Sequence, residues 1–314
     1  MSLSVVVVDD FEPFRRYVCS ALEDRDEIQV VGQAWNGVSA LEVAERLRPD
    51  LVLLDIALPK MNGLEVAKHL RQLVPASKVL IVSQQFSFDM VEAALRAGAL
   101  GYIHKLRVGR ELLPGINAVR LGRYYVGGVF SERAHGPMAR HEVQFVSNDL
   151  ALQQSFADYI TANLKKGTPV IVKTSEKQRS AIWNRLAGAG LDVDRALQTG
   201  MLVPIDAAEI ISRLFRDGVP EATQFFDIAS PLIETAARKG NPGRSPQIAL
   251  CRHALPTLLD NGGAKAFRLE GLWNLMARRF GLDILCAYDV DGTERQAGIL
   301  ESLRAEHSAI HSGV

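Results

Sequence analysis

The chain has 314 residues, of which 36 are basic and 36 are acidic, so its formal net charge is zero. A protein that works mainly on nucleic acid phosphates usually has a basic excess, so this balance argues against nucleic acid as the main partner. The length predicts two domains, and a hydrophobic fraction of 47% is enough for an ordinary core in each.

The sequence also indicates where the protein works. No apolar run is long enough to span a membrane, and the first one, Ser4–Val8, is too short and too soon followed by acids for a signal peptide. The three cysteines, Cys19, Cys251 and Cys286, lie in apolar stretches at no metal-like spacing, which predicts buried, reduced thiols. We therefore expect a cytoplasmic protein with no membrane partner.

Two short apolar runs in the first sixty residues end in carboxylates. Ser4–Val8 precedes Asp9 and Asp10, and Leu51–Leu54 precedes Asp55. Short apolar runs bounded by turn signals predict strands buried on both faces, as in a parallel sheet. Ligands of open α/β sheets bind at the carboxyl ends of the strands. We therefore expect these three carboxylates to meet at one edge of the sheet.

Asp10 has a second interpretation, as the N-cap of the first helix with Pro13 in its first turn. Three close carboxylates, however, cannot easily all stay ionised unless a cation neutralises them. Carboxylate, carbonyl and water oxygens are the ligands that Mg²⁺ prefers. The cluster therefore predicts a magnesium site.

Two later runs end in groups that suit a phosphoryl group. Lys78–Ser83 predicts a strand ending in a hydroxyl, and the run from Gly98 ends in the ammonium of Lys105. A hydroxyl and a fixed cation at the same edge would complement phosphoryl oxygens on Asp55, which need donors and positive charge.

Together these residues resemble the receiver domain of two-component response regulators. The resemblance implies a CheY-like, flavodoxin-like fold with a five-stranded parallel sheet. It implies that Asp55 accepts a phosphoryl group from a sensor histidine kinase or phosphotransfer protein, which makes the chain a phosphoprotein of a phosphorelay. It also implies that Asp9, Asp10 and Asp55 hold Mg²⁺ together with the backbone carbonyl of Ala57. By the habit of the family, a homodimer is expected.

The same resemblance assigns roles to three further residues. Ser83 would bind the phosphoryl oxygens, Lys105 would pair with them, and Tyr102 would turn inward after phosphorylation. Gln84 departs from the family, because many receivers keep a small residue there. A bulky amide beside the phosphoryl group would hinder attacking water or the phosphodonor, so we expect it to affect the rate.

The region around Gly101 and Arg110–Leu113 resembles NarL/FixJ-like receivers, which normally precede a helix-turn-helix DNA-binding domain. The rest of the chain has no compact helix-turn-helix pattern, so a DNA-binding regulator is the weaker interpretation. A helix over about 110–121 is predicted to close the receiver, giving a receiver domain at 1–122, a linker at 123–140 and an output domain at 141–314.

The second half alternates predicted strands and helices from His141 to Tyr288, which indicates a second parallel sheet. It resembles the MEDS domain, a sensory module related to the KaiC and RecA nucleotide-binding fold. The resemblance is carried by the stretches HEVQF from His141, LVPIDA from Leu202, DGVP from Asp217, LEGLWN from Leu269 and CAY from Cys286.

Nucleotide hydrolysis is not expected of this half. A P-loop needs glycines, a lysine and a hydroxyl at fixed offsets so that backbone N–H groups can approach phosphates. The corresponding stretch, Thr174–Arg179, has no glycine and carries an acid, and Ser175 is predicted to N-cap the following helix. Asp206 is likewise better explained as a helix cap than as a catalytic acid.

Three residues are weaker site candidates in this half. His253 stands where the resembled family tends to carry a glutamate. Glu270 and Asn274 share one face of a predicted helix because they lie four residues apart. They could form either a ligand site or a buried polar network.

Two functions from different classes follow. The first is a signalling switch, in which phosphorylation of Asp55 changes a dimer contact or the docking of a ligand- or protein-binding output domain. The second is a receiver-controlled enzyme, or a nucleotide-binding, ATPase-like output domain. The missing P-loop favours the switch, whereas a ligand crevice lined by Glu270 or His253 would favour the enzyme.

Overall fold

The computed structural model describes residues 2–127, 140–146, 148–216, 219–241, 246–251, 264–289 and 309–312. The chain divides into two compact units, Met1–Glu132 and Arg133–Val314, each built around its own sheet. The candidate site residue His253, and most of the predicted linker 123–140, lie outside the described residues.

The first unit is a parallel sheet with the strand order β2-β1-β3-β4-β5-β6. Its strands are β1 Leu3–Val8, β2 Ile28–Ala34, β3 Leu51–Leu54, β4 Lys78–Ser83, β5 Gly101–His104 and β6 Tyr125–Val126. Its α-helices are α1 Glu12–Glu23, α2 Gly37–Leu47, α3 Gly63–Leu73, α4 Phe88–Arg96 and α5 Val108–Arg120. The first five strands have the order 2-1-3-4-5, which is the doubly wound order of flavodoxin-like sheets.

The predicted central strands form because their side chains are apolar on both faces. All four residues of β3 are buried, as are the last four of β1 and the last five of β4. Strands covered by helices on both sides need this composition. One of the two packed sides contains Val18 and Leu22 of α1 together with Leu112 and Ile116 of α5.

The expectation of five strands was incomplete, because the structure adds a sixth, β6, inside the segment predicted as linker. Tyr125 N donates to the carbonyl of Leu100 at 3.0 Å, and Gly127 N donates to the carbonyl of Tyr102 at 2.9 Å. Tyr124 and Tyr125 pack against the core of this unit. The two-residue strand therefore forms because aromatic packing holds an edge backbone against β5.

The second unit also has a six-stranded parallel sheet, with the order β14-β7-β13-β12-β8-β9. Its strands are β7 His141–Val146, β8 Val170–Thr174, β9 Leu202–Asp206, β12 Gln247–Cys251, β13 Ile284–Asp289 and β14 Ala309–Ser312. A separate short hairpin joins β10 Phe215–Arg216 to β11 Val219–Pro220. Its described helices are α6 Asp149–Lys165, α7 Glu176–Gly188, α8 Val193–Thr199, α9 Ala207–Leu214, α10 Ala222–Ala237 and α11 Ala264–Phe280.

The sequence pattern was wrong in ending this sheet at about Tyr288, since β14 follows and pairs with β7. The two helix caps predicted in this unit are confirmed. The side chain of Ser175 accepts a hydrogen bond from Gln178 N and so caps α7, while Asp206 accepts from Ala208 N and Glu209 N at the start of α9.

The helices of the described residues include none with the length and apolar composition that a membrane span needs.

Candidate functional site

The carboxylates that end β1 and β3 lie together at the carboxyl edge of the first sheet. The two strands are neighbours, with Val8 opposite Leu54, so the residues that follow them are adjacent. One carboxylate oxygen from each of Asp9, Asp10 and Asp55 lies within 4.8 Å of the others. Asp9 and Asp55 are buried, and Asp10 is exposed. These three side chains therefore lie together in the structure, as the strand pattern predicts.

The alternative interpretation of Asp10 as a helix cap is wrong. The residue at the N-cap position of α1 is Phe11, and it makes no side-chain cap. Asp9 instead accepts a hydrogen bond from Phe11 N at 2.9 Å, which ties the start of α1 to the acidic cluster. The Asp10 side chain is thus left to face solvent at the mouth of the cluster.

Lys105 places its ammonium between two of the carboxylates. Its Nζ lies 2.6 Å from Asp9 Oδ2 and 2.8 Å from Asp55 Oδ2, although β4 separates β3 from β5 in the sheet. Only a long side chain can reach across that intervening strand. Burial disfavours the charged amine, but hydrogen bonds and attraction to both carboxylates outweigh it and raise the pKa of Lys105. The ammonium therefore stays charged.

Burial raises the pKa of Asp9, and repulsion by Asp55 adds to the effect, while Lys105 and the Phe11 N–H work against it. A buried carboxyl with a raised pKa takes up protons more readily than an exposed one. A further cation at this cluster would favour its charged form. The electrostatics of the site thus favour the binding of positive charge.

The turn after β3 fixes the position of Asp55. Its Oδ1 accepts a hydrogen bond from Ile56 N at 2.8 Å, and Gly63 N donates to the Ile56 carbonyl at 2.9 Å. Gly63 passes so close that a Cβ there would lie 2.0 Å from the Asp55 carbonyl oxygen. Ala57, the predicted carbonyl ligand, lies in this turn and is exposed. Both Asp55 oxygens are therefore held by named contacts.

Ser83 ends β4 and is buried, and its hydroxyl accepts a hydrogen bond from Gln85 N at 3.3 Å. Tyr102 of β5 is also fully buried, with its hydroxyl donating to the carbonyl of Gln85. Burial raises the pKa of Tyr102 to about 12, partly offset by a hydrogen bond with Ser83. The tyrosine therefore points inward, into the same turn that holds Ser83.

Gln84 lies between these contacts and is exposed. Its backbone carbonyl accepts a hydrogen bond from His104 Nε2 at 3.0 Å, so its main chain is anchored to the end of β5. The expected effect of its side chain on the phosphorylation rate stays a prediction.

In chemical terms, this edge joins a buried carboxylate, two further carboxylates, a buried ammonium and a buried hydroxyl. A carboxylate can act as a nucleophile, and a group of carboxylates can bind a hard cation. The ammonium and the hydroxyl can stabilise added negative charge.

In the second unit, Glu270 and Asn274 lie one turn apart on α11, and both face His141, the first residue of β7. His141 Nδ1 lies 2.7 Å from Asn274 Oδ1, and its Nε2 lies 3.3 Å from Glu270 Oε2. Glu270 is completely buried and His141 nearly so. Glu270 and Asn274 are therefore linked through His141, which was not a predicted site residue.

Cys286 of β13 completes this cluster, with its Sγ 3.1 Å from His141 Nε2. His141 and Cys286 were not predicted as site residues, and Cys286 was expected only to be a buried thiol. Their separation of 145 residues carries no spacing signal, because the contact depends on β7 and β13 being neighbours. A polar His at the start of a buried strand was the available hint.

Comparison with known proteins gives the same two parts. The family model described as a response regulator receiver domain matches residues 5–116, and the model described as the MEthanogen/methylotroph, DcmR Sensory domain matches residues 140–307.

Relatives match the first part. A Pseudomonas aeruginosa protein named as a transcriptional regulator is 41% identical over 118 residues, covering 38% of this chain and 56% of its own length. The transcriptional regulatory protein DegU of Brevibacillus brevis is 34% identical over 124 residues, covering 40% of this chain and 52% of its own. The chain therefore spans about half the length of these curated relatives.

A solved two-component response regulator of the LuxR family from Aurantimonas sp. SI85-9A1 is 30% identical, covering 40% of this chain and 89% of its own, with a TM-score of 0.39. The two family models, at residues 5–116 and 140–307, together cover most of both units. The chain therefore has a response regulator receiver domain followed by a MEDS domain, and it belongs to the MEDS family, whose model matches more than half of its length.

Proposed function

We propose that the first unit is a phosphoacceptor and that Asp55 is the residue that takes the phosphoryl group. The observation that carries the proposal is the convergence of Asp55, Asp9 and Lys105, with the ammonium 2.8 Å and 2.6 Å from the two carboxylates. In the transfer from a phosphohistidine, an Asp55 oxygen forms a bond to phosphorus while the phosphorus–nitrogen bond breaks. The imidazole nitrogen keeps the electron pair of the broken bond.

Magnesium is the cofactor proposed for this step, and the donor set fits it. Asp9, Asp10 and Asp55 supply carboxylate oxygens within 4.8 Å of one another, and the Ala57 carbonyl is the proposed fourth protein ligand. A bound Mg²⁺ would neutralise negative charge on the phosphoryl oxygens. The Lys105 ammonium contributes positive charge from the protein itself.

Ser83 and Tyr102 are proposed to read the phosphorylated state. The Ser83 hydroxyl would donate to a phosphoryl oxygen, and because Ser83 and Tyr102 both contact the Gln85 backbone, we expect a shift at Ser83 to affect Tyr102 as well. Tyr102 is already buried, so the proposed switch is a change in its hydrogen-bond partner and in the segment around Gln85.

The second unit is proposed to be the output part, a RecA/KaiC-like domain that binds a ligand or a protein. Its six-stranded parallel sheet with intervening helices supports that fold, and the match to a sensory family supports the role. The proposed partners of the whole chain are a sensor histidine kinase or phosphotransfer protein and a second copy of this chain.

The experiment is intact mass measurement after incubation with Mg²⁺ and acetyl phosphate, on the native protein and on Asp55→Ala, with size-exclusion runs alongside. One added phosphoryl group on the native protein only, with a changed elution volume, supports the switch. Equal labelling of both proteins would remove Asp55 from its proposed role.

A further inference from the structure

The second unit contains a cluster of ligand-type side chains that the phosphoacceptor chemistry does not use. His141 Nε2, Cys286 Sγ and a Glu270 carboxylate oxygen all lie within 4.8 Å of one another. They come from three elements, β7, β13 and α11. Their exposed fractions are 3% for His141 and 0% for Glu270 and Cys286. Imidazole, thiol and carboxylate groups gathered inside a core form a metal-ligand set.

The spacing of these atoms suits a tetrahedral centre. Zinc bonds of about 2.0–2.3 Å to nitrogen, oxygen and sulfur at tetrahedral angles put ligand atoms roughly 3.4–3.6 Å apart. His141 Nε2 lies 3.3 Å from Glu270 Oε2 and 3.1 Å from Cys286 Sγ. Moving the sulfur outward by about half an ångström would therefore make room for the metal bonds.

Asn274 contacts the imidazole of His141 on the side opposite the cluster. Its Oδ1 can only accept a hydrogen bond, so His141 Nδ1, at 2.7 Å, carries the proton. The other ring nitrogen, Nε2, then faces Cys286 and Glu270 and supplies its lone pair when the ring is neutral. Histidine ligands of metals usually have such a partner on the second nitrogen.

Charge decides which cation fits. A buried carboxylate and a thiolate together carry two negative charges, so a divalent ion gives a neutral complex, which costs least in a water-free core. Sulfur and imidazole ligands exclude Mg²⁺ and Ca²⁺ and suit zinc and its neighbours in the first transition row.

We propose that His141, Glu270 and Cys286 form a binding site for a divalent transition metal of the zinc class, with Asn274 as a positioning residue. On binding, the thiol proton is released and the sulfur–metal bond forms. The site would join β7 and β13 to α11 inside the second unit. A signalling role for this site rests on the proposed output function of the second unit. Metal binding itself does not depend on Asp55.

The test is titration of the chelator-stripped, reduced full chain with Co²⁺, followed by absorbance and native mass spectrometry. Cobalt bound to a thiolate gives a near-ultraviolet charge-transfer band, which oxygen ligands alone cannot produce. We expect one such site per chain, and Zn²⁺ should displace the cobalt and remove the band. Absence of the band in folded native protein would overturn the proposal and leave the cluster as a buried hydrogen-bond network.

Matched variants locate the site. Cys286→Ser should abolish the band, whereas Cys19→Ser, at a buried thiol of the first unit, should retain it. Asp55→Asn should also retain it, which separates this proposal from phosphorylation. A band that persists in Cys286→Ser, or is lost in Cys19→Ser, would contradict the assignment.

A variant that keeps all three ligands covers the case in which Cys286→Ser does not fold. Asn274→Leu leaves all three ligands but removes the partner of His141 Nδ1, and we expect metal affinity to fall by about 10–100-fold with the band position unchanged. Unchanged affinity in that variant would remove Asn274 from its positioning role. Circular dichroism on each variant checks that the fold is intact.

Discussion

The Lys105 ammonium lies between two carboxylates that would repel each other without it, since Asp9 and Asp55 are both buried. Removing one partner of a buried ion pair leaves uncompensated charge in the interior. We expect Lys105→Met to lose about 3 kcal/mol of unfolding free energy without divalent cations. Chemical denaturation in EDTA measures this loss.

Added Mg²⁺ should restore part of that stability, because the cation replaces the lost positive charge between the carboxylates. The matched control is Lys68→Met, at an exposed position of α3, which we expect to stay within about 0.5 kcal/mol of the native protein. Equal losses in the two variants, or no response of Lys105→Met to Mg²⁺, would contradict this account of the acidic cluster.

Tyr102 gives a pH-dependent prediction. Its pKa is about 12 in the folded chain against an ordinary value of 10.0, because burial disfavours the phenolate. The neutral phenol therefore contributes stability that is fully present below pH 10.0 and is lost as the pH rises toward about 12.

We expect the native protein to lose more unfolding free energy than Tyr102→Phe over this alkaline range, since phenylalanine has no proton to release. Denaturation at a series of pH values measures the difference between the two proteins. The same pH slope in both would show that Tyr102 titrates as an exposed residue.

Among the structural elements, the turn from β3 into α3 positions Asp55, the proposed phosphoacceptor. A Cβ on Gly63 would lie 2.0 Å from the Asp55 carbonyl oxygen and 2.8 Å from Ile56 Cα, both backbone atoms. Backbone cannot move aside cheaply, so Gly63→Ala should cost about 1–3 kcal/mol or more. It should also reduce labelling of Asp55, because the turn that holds it must shift.

Gly188→Ala is the matched control at the end of α7, where an added Cβ would meet nothing within 4 Å. Alanine is the better helix former, so the change should be neutral or stabilise by up to about 1 kcal/mol. Thermal and denaturant unfolding of both variants provide the comparison. A stable, normally labelled Gly63→Ala protein would show that the close approach is not a constraint.

The central strands could be predicted from sequence because they are buried on both faces, so β3 and β4 read as continuous apolar runs. The edge strands of the first sheet, β2 and β6, could not be predicted. In β2, Gln29 and Gln33 interrupt the pattern because the strand is buried at only some positions, and β6 has just two residues. Short edge strands form through tertiary packing, which local sequence does not record.

The two clusters of polar residues differ in the same way. Asp9 and Asp55 each follow an apolar run directly, and the carboxyl ends of parallel strands lie at one edge of a sheet. His141 and Cys286 meet only because β7 and β13 pair in the second sheet. The sequence did not predict the strand order of that sheet. Glu270 and Asn274 were found because a helix repeats every 3.6 residues, whatever the topology.

The whole molecule combines the proposed phosphoacceptor edge of one unit with a separate cluster of ligand-type side chains in the other. We expect the two chemistries to be independent, because they share no residue. Phosphoryl labelling should therefore persist in Cys286→Ser, and mass spectrometry of that variant after acetyl phosphate treatment checks this expectation. Loss of labelling in a folded Cys286→Ser protein would contradict that independence.

The most direct measurement is to locate the phosphoryl group itself. An aspartyl phosphate is reduced by borohydride to homoserine, so protein labelled with Mg²⁺ and acetyl phosphate can be reduced, digested and sequenced by tandem mass spectrometry. We predict homoserine at position 55 alone, with Asp9 and Asp10 unmodified. Homoserine at position 9 or 10, or none in protein that carries the added mass, would contradict the claim that Asp55 is the phosphoacceptor.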